Sequence, residues 1–169
     1  LPFEQAVSAT LVTDVQISPD GRHVAYVTAP ASKEGEHPVS AIWLVAADGG
    51  TPRRLTTSEA ADGAPRWSPD GRRLAFVSDR LERGKPQVYV LDLAGGEAVR
   101  VTAAEGGVGQ AAWSPDGSLL AYTAMDAETE EEKRRREERD DARVVDADVK
   151  RASLWVIAVP EDTAAIDPN

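Results

Sequence analysis

Residues 67–80 read Trp67-Ser68-Pro69-Asp70-Gly71-Arg72-Arg73-Leu74-Ala75-Phe76-Val77-Ser78-Asp79-Arg80, and the tetrapeptide near their head recurs. Ser-Pro-Asp-Gly begins at Ser18, Ser68 and Ser114, 50 and then 46 residues apart. The register extends outward from it in both directions. Ile17, Trp67 and Trp113 precede the tetrapeptide, and Val24-Ala25-Tyr26, Leu74-Ala75-Phe76 and Leu120-Ala121-Tyr122 follow it column by column. A second apolar block aligns Ile42-Trp43-Leu44-Val45 with Val88-Tyr89-Val90-Leu91 and Leu154-Trp155-Val156-Ile157. In the first two copies a Gly-Gly pair follows (Gly49-Gly50, Gly95-Gly96), then Arg54-Leu55-Thr56 and Arg100-Val101-Thr102. A period of this length is the mark of a repeat architecture.

Each apolar block is short, rich in β-branched and aromatic residues, and bounded by Pro, Gly and Asp, which predicts strands. Ser-Pro-Asp-Gly predicts a tight hairpin turn. Pro presets φ, Asp bonds nearby backbone, and Gly accepts positive φ where the chain re-enters the ladder. Asp48-Gly49-Gly50 and Ala94-Gly95-Gly96 would turn the third strand into a fourth. Each repeat is then a four-stranded antiparallel meander, apolar on both faces, and radial stacking of such meanders is the β-propeller solution. The expected fold is all-β, a partial β-propeller of about three blades with the Trp and Tyr columns filling the layers between them. A sandwich is the alternative that repeat register argues against. The boundaries expected are a lead-in at 1–14, blade 1 at 15–57, blade 2 at 58–104 and blade 3 at 105–169.

The third repeat is incomplete, its fourth strand reduced to Ala164-Ala165-Ile166-Asp167. Closed propellers have about 4–8 blades, and three would leave two apolar faces in water. The expected partners are therefore the remaining blades of a longer polypeptide, or a second copy in a homo-oligomeric ring.

Composition excludes several classes. With 29 Asp and Glu against 19 Lys and Arg the net charge is -10, the wrong sign for a general nucleic-acid or anionic-membrane binder. No Cys is present, so there is neither a disulfide framework nor a thiolate nucleophile. No apolar run approaches the roughly 18 residues of a membrane span. Leu1-Pro2-Phe3-Glu4-Gln5 carries neither the basic start nor the apolar stretch of a signal peptide, nor an initiator Met.

Residues 126–151 lengthen the third repeat by roughly 20 residues and are dominated by charge. Glu130, Glu131 and Glu132 each precede an Arg by four residues (Arg134, Arg135, Arg136), an order that supports a helix by about 0.3–0.5 kcal/mol per pair. A solvated helix is expected over Ala127–Asp140, and then a loop. A gate or docking arm is one reading; a tolerated surface insertion is the plainer one.

No catalytic motif is present: no Gly-x-Ser-x-Gly, no Ser-x-x-Lys, no phosphate loop, no His-Glu-x-x-His. Gly106-Gly107-Val108-Gly109 reads as an inter-blade loop. His23 and His37 read as surface residues, Asp20, Asp70 and Asp116 as turn residues, and Asp79-Arg80 as a structural loop pair. No catalytic, cofactor-binding or metal residue is assigned, and no cofactor is expected.

Residues 67–80 resemble the blade signature shared by TolB-type propellers and the prolyl oligopeptidase family of serine peptidases. Two further stretches are similar to the acylaminoacyl-peptidase branch of that family. They are Gly84-Lys85-Pro86-Gln87-Val88-Tyr89-Val90-Leu91 running into Gly95-Gly96-Glu97-Ala98, and Glu137-Glu138-Arg139-Asp140-Asp141-Ala142-Arg143-Val144-Val145 running into Leu154-Trp155-Val156. The resemblance implies a cytoplasmic hydrolase with an N-terminal propeller, often of about seven blades, that gates peptide substrates to a C-terminal α/β-hydrolase domain. The Ser-Asp-His triad of that domain has no counterpart among residues 1–169. The alternative is a non-enzymatic TolB-like propeller that binds protein partners in the periplasm.

Overall fold

The computed structural model describes residues 10–31, 39–127, 134 and 152–160. Eleven strands follow in chain order: β1 (Thr10–Ile17), β2 (His23–Pro30), β3 (Ala41–Ala46), β4 (Arg53–Arg54), β5 (Gly63–Trp67), β6 (Arg73–Ser78), β7 (Gln87–Asp92), β8 (Val99–Arg100), β9 (Val108–Trp113), β10 (Leu119–Met125) and β11 (Ala152–Ala158). They form antiparallel meanders β1-β2-β3-β4 and β5-β6-β7-β8, and among the described residues a three-stranded sheet β9-β10-β11. These are the three expected blades of a partial β-propeller. The expected fourth strand of blade 3, at 164–167, lies outside the described residues.

First strands of successive blades touch, β1 with β5 and β5 with β9, while β4 and β8 lie at the far edges of their sheets. The register matches the repeat columns: Tyr26 opposite Trp43, Phe76 opposite Tyr89, Tyr122 opposite Trp155. Residues directly opposite share one face of the sheet. The face of blade 2 bearing Leu74, Phe76, Tyr89 and Leu91 packs on Ala25, Val27 and Ile42 of blade 1. Its other face, with Ala75, Val88, Val90 and Val101, packs on Val108, Ala111 and Leu120 of blade 3. In blade 2, Leu74, Phe76, Tyr89 and Leu91 thus belong to one inter-blade layer and Ala75, Val88 and Val90 to the other.

The sequence places a lead-in over 1–14, yet β1 already starts at Thr10 and pairs with β2 from its first residue. A bulge at Asp14, with φ of 44°, shifts the register there and conceals the strand's alternation. The helix expected over Ala127–Asp140 is not borne out as an element. Of that span only Ala127 and Arg134 are among the described residues, Arg134 being helical, and positions 128–133 and 135–151 lie outside them. Among the described residues, no helix is long and apolar enough to cross a membrane.

Candidate functional site

The three Ser-Pro-Asp-Gly turns are built identically. Each Ser hydroxyl donates to the Asp two residues on, at 2.6, 2.5 and 2.5 Å for Asp20, Asp70 and Asp116. The same carboxylates accept the N–H of Arg22, Arg72 and Ser118. Each Ser oxygen also accepts the N–H of His23, Arg73 or Leu119, which closes the hairpin. The Ser114 hydroxyl, then the Ser118 N–H and hydroxyl, hold the Asp116 carboxyl at about 2. The Ser18 bond lowers Asp20 in the same way. At Asp70 burial works upward, but the Ser68 and Arg72 bonds outweigh it. These carboxylates are committed to their turns, as the sequence indicates.

The turns also join the blades. The glycines have φ near +70°, open to Gly at no steric cost, and a Cβ on Gly71 or Gly117 would meet the Cδ of Pro19 or Pro69 at 3.7 or 3.4 Å. One residue before each turn, the indole N–H of Trp67 donates to the Gln16 carbonyl and that of Trp113 to the Arg66 carbonyl, both on the preceding blade's first strand. Arg73, buried, crosses from blade 2 to blade 3, donating to the carbonyls of Gly117 and Pro160 with its guanidinium 4.9 Å from the Trp113 ring centre. On the inner strands Arg66 reaches Asp14 at 3.2 Å.

Blade 2 carries an ionic cluster where it meets blade 1. Sequence reading pairs Asp79 with Arg80; the structure corrects this. Arg80 donates to Asp62, fully buried, at 3.0 Å, and to the Ser78 hydroxyl at 2.9 Å. Its guanidinium lies 5.1 Å from the Phe76 ring centre and 4.6 Å from that of Tyr89. Asp79 instead accepts from the Ala61 and Gly84 N–H groups and from Arg83. Those bonds hold its carboxyl below the ordinary range although burial works the other way. Adjacent residues on an extended chain point to opposite sides, so Asp79 and Arg80 turn away from each other. Nothing in the sequence marks Asp62 as the partner, since it lies 18 residues upstream on the connector between blades. Burial raises the Tyr89 phenol, with Arg80 and Arg100 opposing and Asp62 reinforcing.

A cleft of about 370 Å³ opens between blades 2 and 3, lined by Ala104, Glu105 and Gly106 of the connector, Tyr122 and Asp126, and Trp155. Gly106 and Gly107 lie in that connector, as expected, while Val108 and Gly109 already belong to β9. His23 is exposed, and His37 lies outside the described residues. Among the described residues no group of three His, Asp or Glu could hold a metal ion.

Antiparallel blades joined by tight turns, with first strands in an inner row, define a β-propeller module. A family model for the TolB beta propeller domain (PD40) matches residues 9–150, and the chain belongs to that family. Relatives carry both peptidase and TolB names. The Bacillus subtilis uncharacterized peptidase YuxL is 42% identical over 80 residues, 47% of this chain and 12% of its own. A Chlorobium luteolum TolB homolog is 40% identical over 90 residues, 53% of this chain and 20% of its own. The chain therefore matches a fifth or less of these relatives' length. Among solved structures, the Pyrococcus horikoshii acylaminoacyl peptidase superposes with a TM-score of 0.65 over 89% of this chain and 23% of its own, at 21% identity. That likeness concerns the fold.

Proposed function

We propose that residues 1–169 form part of the substrate-gating β-propeller of a cytoplasmic serine peptidase of the acylaminoacyl or oligopeptidase type. The observation that carries this reading is the 42% identity to a peptidase. The acylaminoacyl-peptidase resemblance of Gly84–Leu91 and of the charged insertion supports the branch. In this reading the acyl-transfer chemistry, with Ser as nucleophile, His as base and an oxyanion hole, belongs to an α/β-hydrolase domain outside these residues. The propeller's part is steric: its remaining blades complete a ring that admits short or unstructured peptides. Apolar blade faces left in water support the presence of such blades. Leu154 and Val156 on β11 are 73% and 60% exposed, and Ile17 on β1 is 65% exposed.

The second reading, a non-enzymatic TolB-like propeller that binds protein partners in the periplasm, is favoured by the 40% identity to a TolB homolog. Intact mass of the native polypeptide, together with labelling by a serine-directed fluorophosphonate, separates the two. The peptidase reading expects a mass several-fold above 18.1 kDa and one covalent adduct. A larger polypeptide inert to the probe and led by an export signal supports the TolB-like reading and overturns the first.

A further inference from the structure

We propose that the cleft between blades 2 and 3 binds an organic cation, specifically a guanidinium group such as the side chain of an arginyl peptide. The argument comes from the neighbouring blade. At the same place in the repeat, blade 2 has Phe76 and Tyr89, cross-strand partners turned toward blade 1, with ring centres 5.8 Å apart. It covers them with its own guanidinium, that of Arg80, neutralised by buried Asp62. Tyr89, which also packs with Ala25, Val27 and Ile42 of blade 1, is only 3% exposed.

In blade 3 the aromatic columns are kept and the charges change. Tyr122 and Trp155 are cross-strand partners in the columns of Phe76 and Tyr89. The column of Arg80 holds Asp126, a carboxylate in place of a cation, and the column of Asp62 holds Val108. Among the described residues no cationic side chain lines the cleft, and Glu105 adds a second carboxylate to its wall. Trp155 is 55% exposed.

The walls are set by backbone, not by mobile side chains. A Cβ on Gly106 would collide with the carbonyl oxygen of Met125, and the Met125 N–H donates to the Gly107 carbonyl at 3.1 Å. The connector and the end of β10 are thereby locked together, which fixes Asp126 beside the aromatic pair.

Aromatic faces carry negative potential and attract cations, Trp most strongly, and two carboxylates repel anions. A planar guanidinium stacks on an indole while donating in its plane to carboxylate oxygens, which a compact ammonium does less well. The volume is within the range that accepts a small ligand. The inference does not depend on the peptidase reading.

The test uses the whole protein labelled with 5-fluorotryptophan, with the Trp155 fluorine resonance assigned from Trp155→Phe. N-acetyl-arginine amide should shift that resonance saturably, and N-acetyl-citrulline amide, its neutral near-isostere, should not. Asp126→Asn should weaken binding about fivefold through loss of one charge-assisted bond. Asp126→Arg should place the chain's own guanidinium over the pair, as in blade 2, moving the free-protein resonance and abolishing the titration. Both substitutions fall at an exposed residue, so unchanged thermal midpoints are expected. Equal response to citrulline, no response to arginine, or a titration untouched by Asp126→Arg overturns the proposal.

Discussion

Blades 2 and 3 place the same residue columns in very different surroundings. Val88 and Val90 of blade 2 are fully buried, whereas their counterparts Leu154 and Val156 of blade 3 are 73% and 60% exposed. All of β7 but its last residue, Asp92, is buried, while its counterpart β11 shows most of its length to water. Chemistry does not explain the contrast, because Leu is at least as apolar as Val. Neighbours do. Among the described residues, blade 2 has a sheet against each face, and blade 3 has one against a single face. Blade 1 mirrors it, with Ile17 exposed where Trp67 and Trp113 are clamped to the preceding blade. One column pattern thus meets a packing partner on both sides in blade 2 and, among the described residues, on one side in blades 1 and 3.

The largest expected effect comes from the middle layer. Phe76→Ala removes a fully buried ring from between blades 1 and 2 and should cost about 3–5 kcal/mol in denaturant unfolding. Tyr122→Ala, in the same column but beside the open cleft, should cost clearly less, and equal losses would break the comparison. Next comes the ionic cluster. Asp62→Ala leaves Arg80 without its carboxylate and should cost about 3 kcal/mol. Arg80→Met, which abandons a fully buried Asp62 to the Ser58 hydroxyl, should be at least as damaging. Trp67→Phe and Trp113→Phe each delete one inter-blade hydrogen bond while keeping most of the apolar area. About 1 kcal/mol apiece is expected, and a null result at both would show that the indole donors add nothing to blade adhesion.

The smallest effect is one of pH. Asp116 is held at about 2 against an ordinary 3.8, so folding favours its charged form. Its contribution is full above the ordinary value and declines as pH falls toward about 2. Titration of the Asp116 carboxyl carbon by NMR should give a midpoint near 2 in the native protein, rising toward the ordinary value in Ser114→Ala. An unchanged midpoint in that variant would show that the hydroxyl does not set it.

Repeats made much of this legible in the sequence. The turn tetrapeptide marked every second-strand start, and column alignment gave the repeat and the expectation that its aromatic columns fill the layers between blades. What stayed hidden was of two kinds. The start of β1 is masked by the bulge at Asp14, which breaks the alternation that a strand reading needs. The Arg80–Asp62 pair is long-range and links a loop to a connector, so proximity in sequence pointed to Asp79, the wrong acid. The cleft was hidden for a related reason. Its significance lies in a charge reversal between equivalent columns, Arg80 against Asp126, which becomes visible only once the aromatic pairs beneath are known to face the same way.

The central claim is that Ile17 and Leu154 stand on faces made for further blades. The chain contains no cysteine, so Ile17→Cys, Leu154→Cys and, as an exposed loop control, Leu81→Cys can each be introduced in the whole native protein and their alkylation rates followed by peptide mass spectrometry. The account predicts that Leu81→Cys reacts rapidly while both face cysteines are strongly protected until the protein is unfolded. Face cysteines that react as fast as the loop control in the native protein would contradict it.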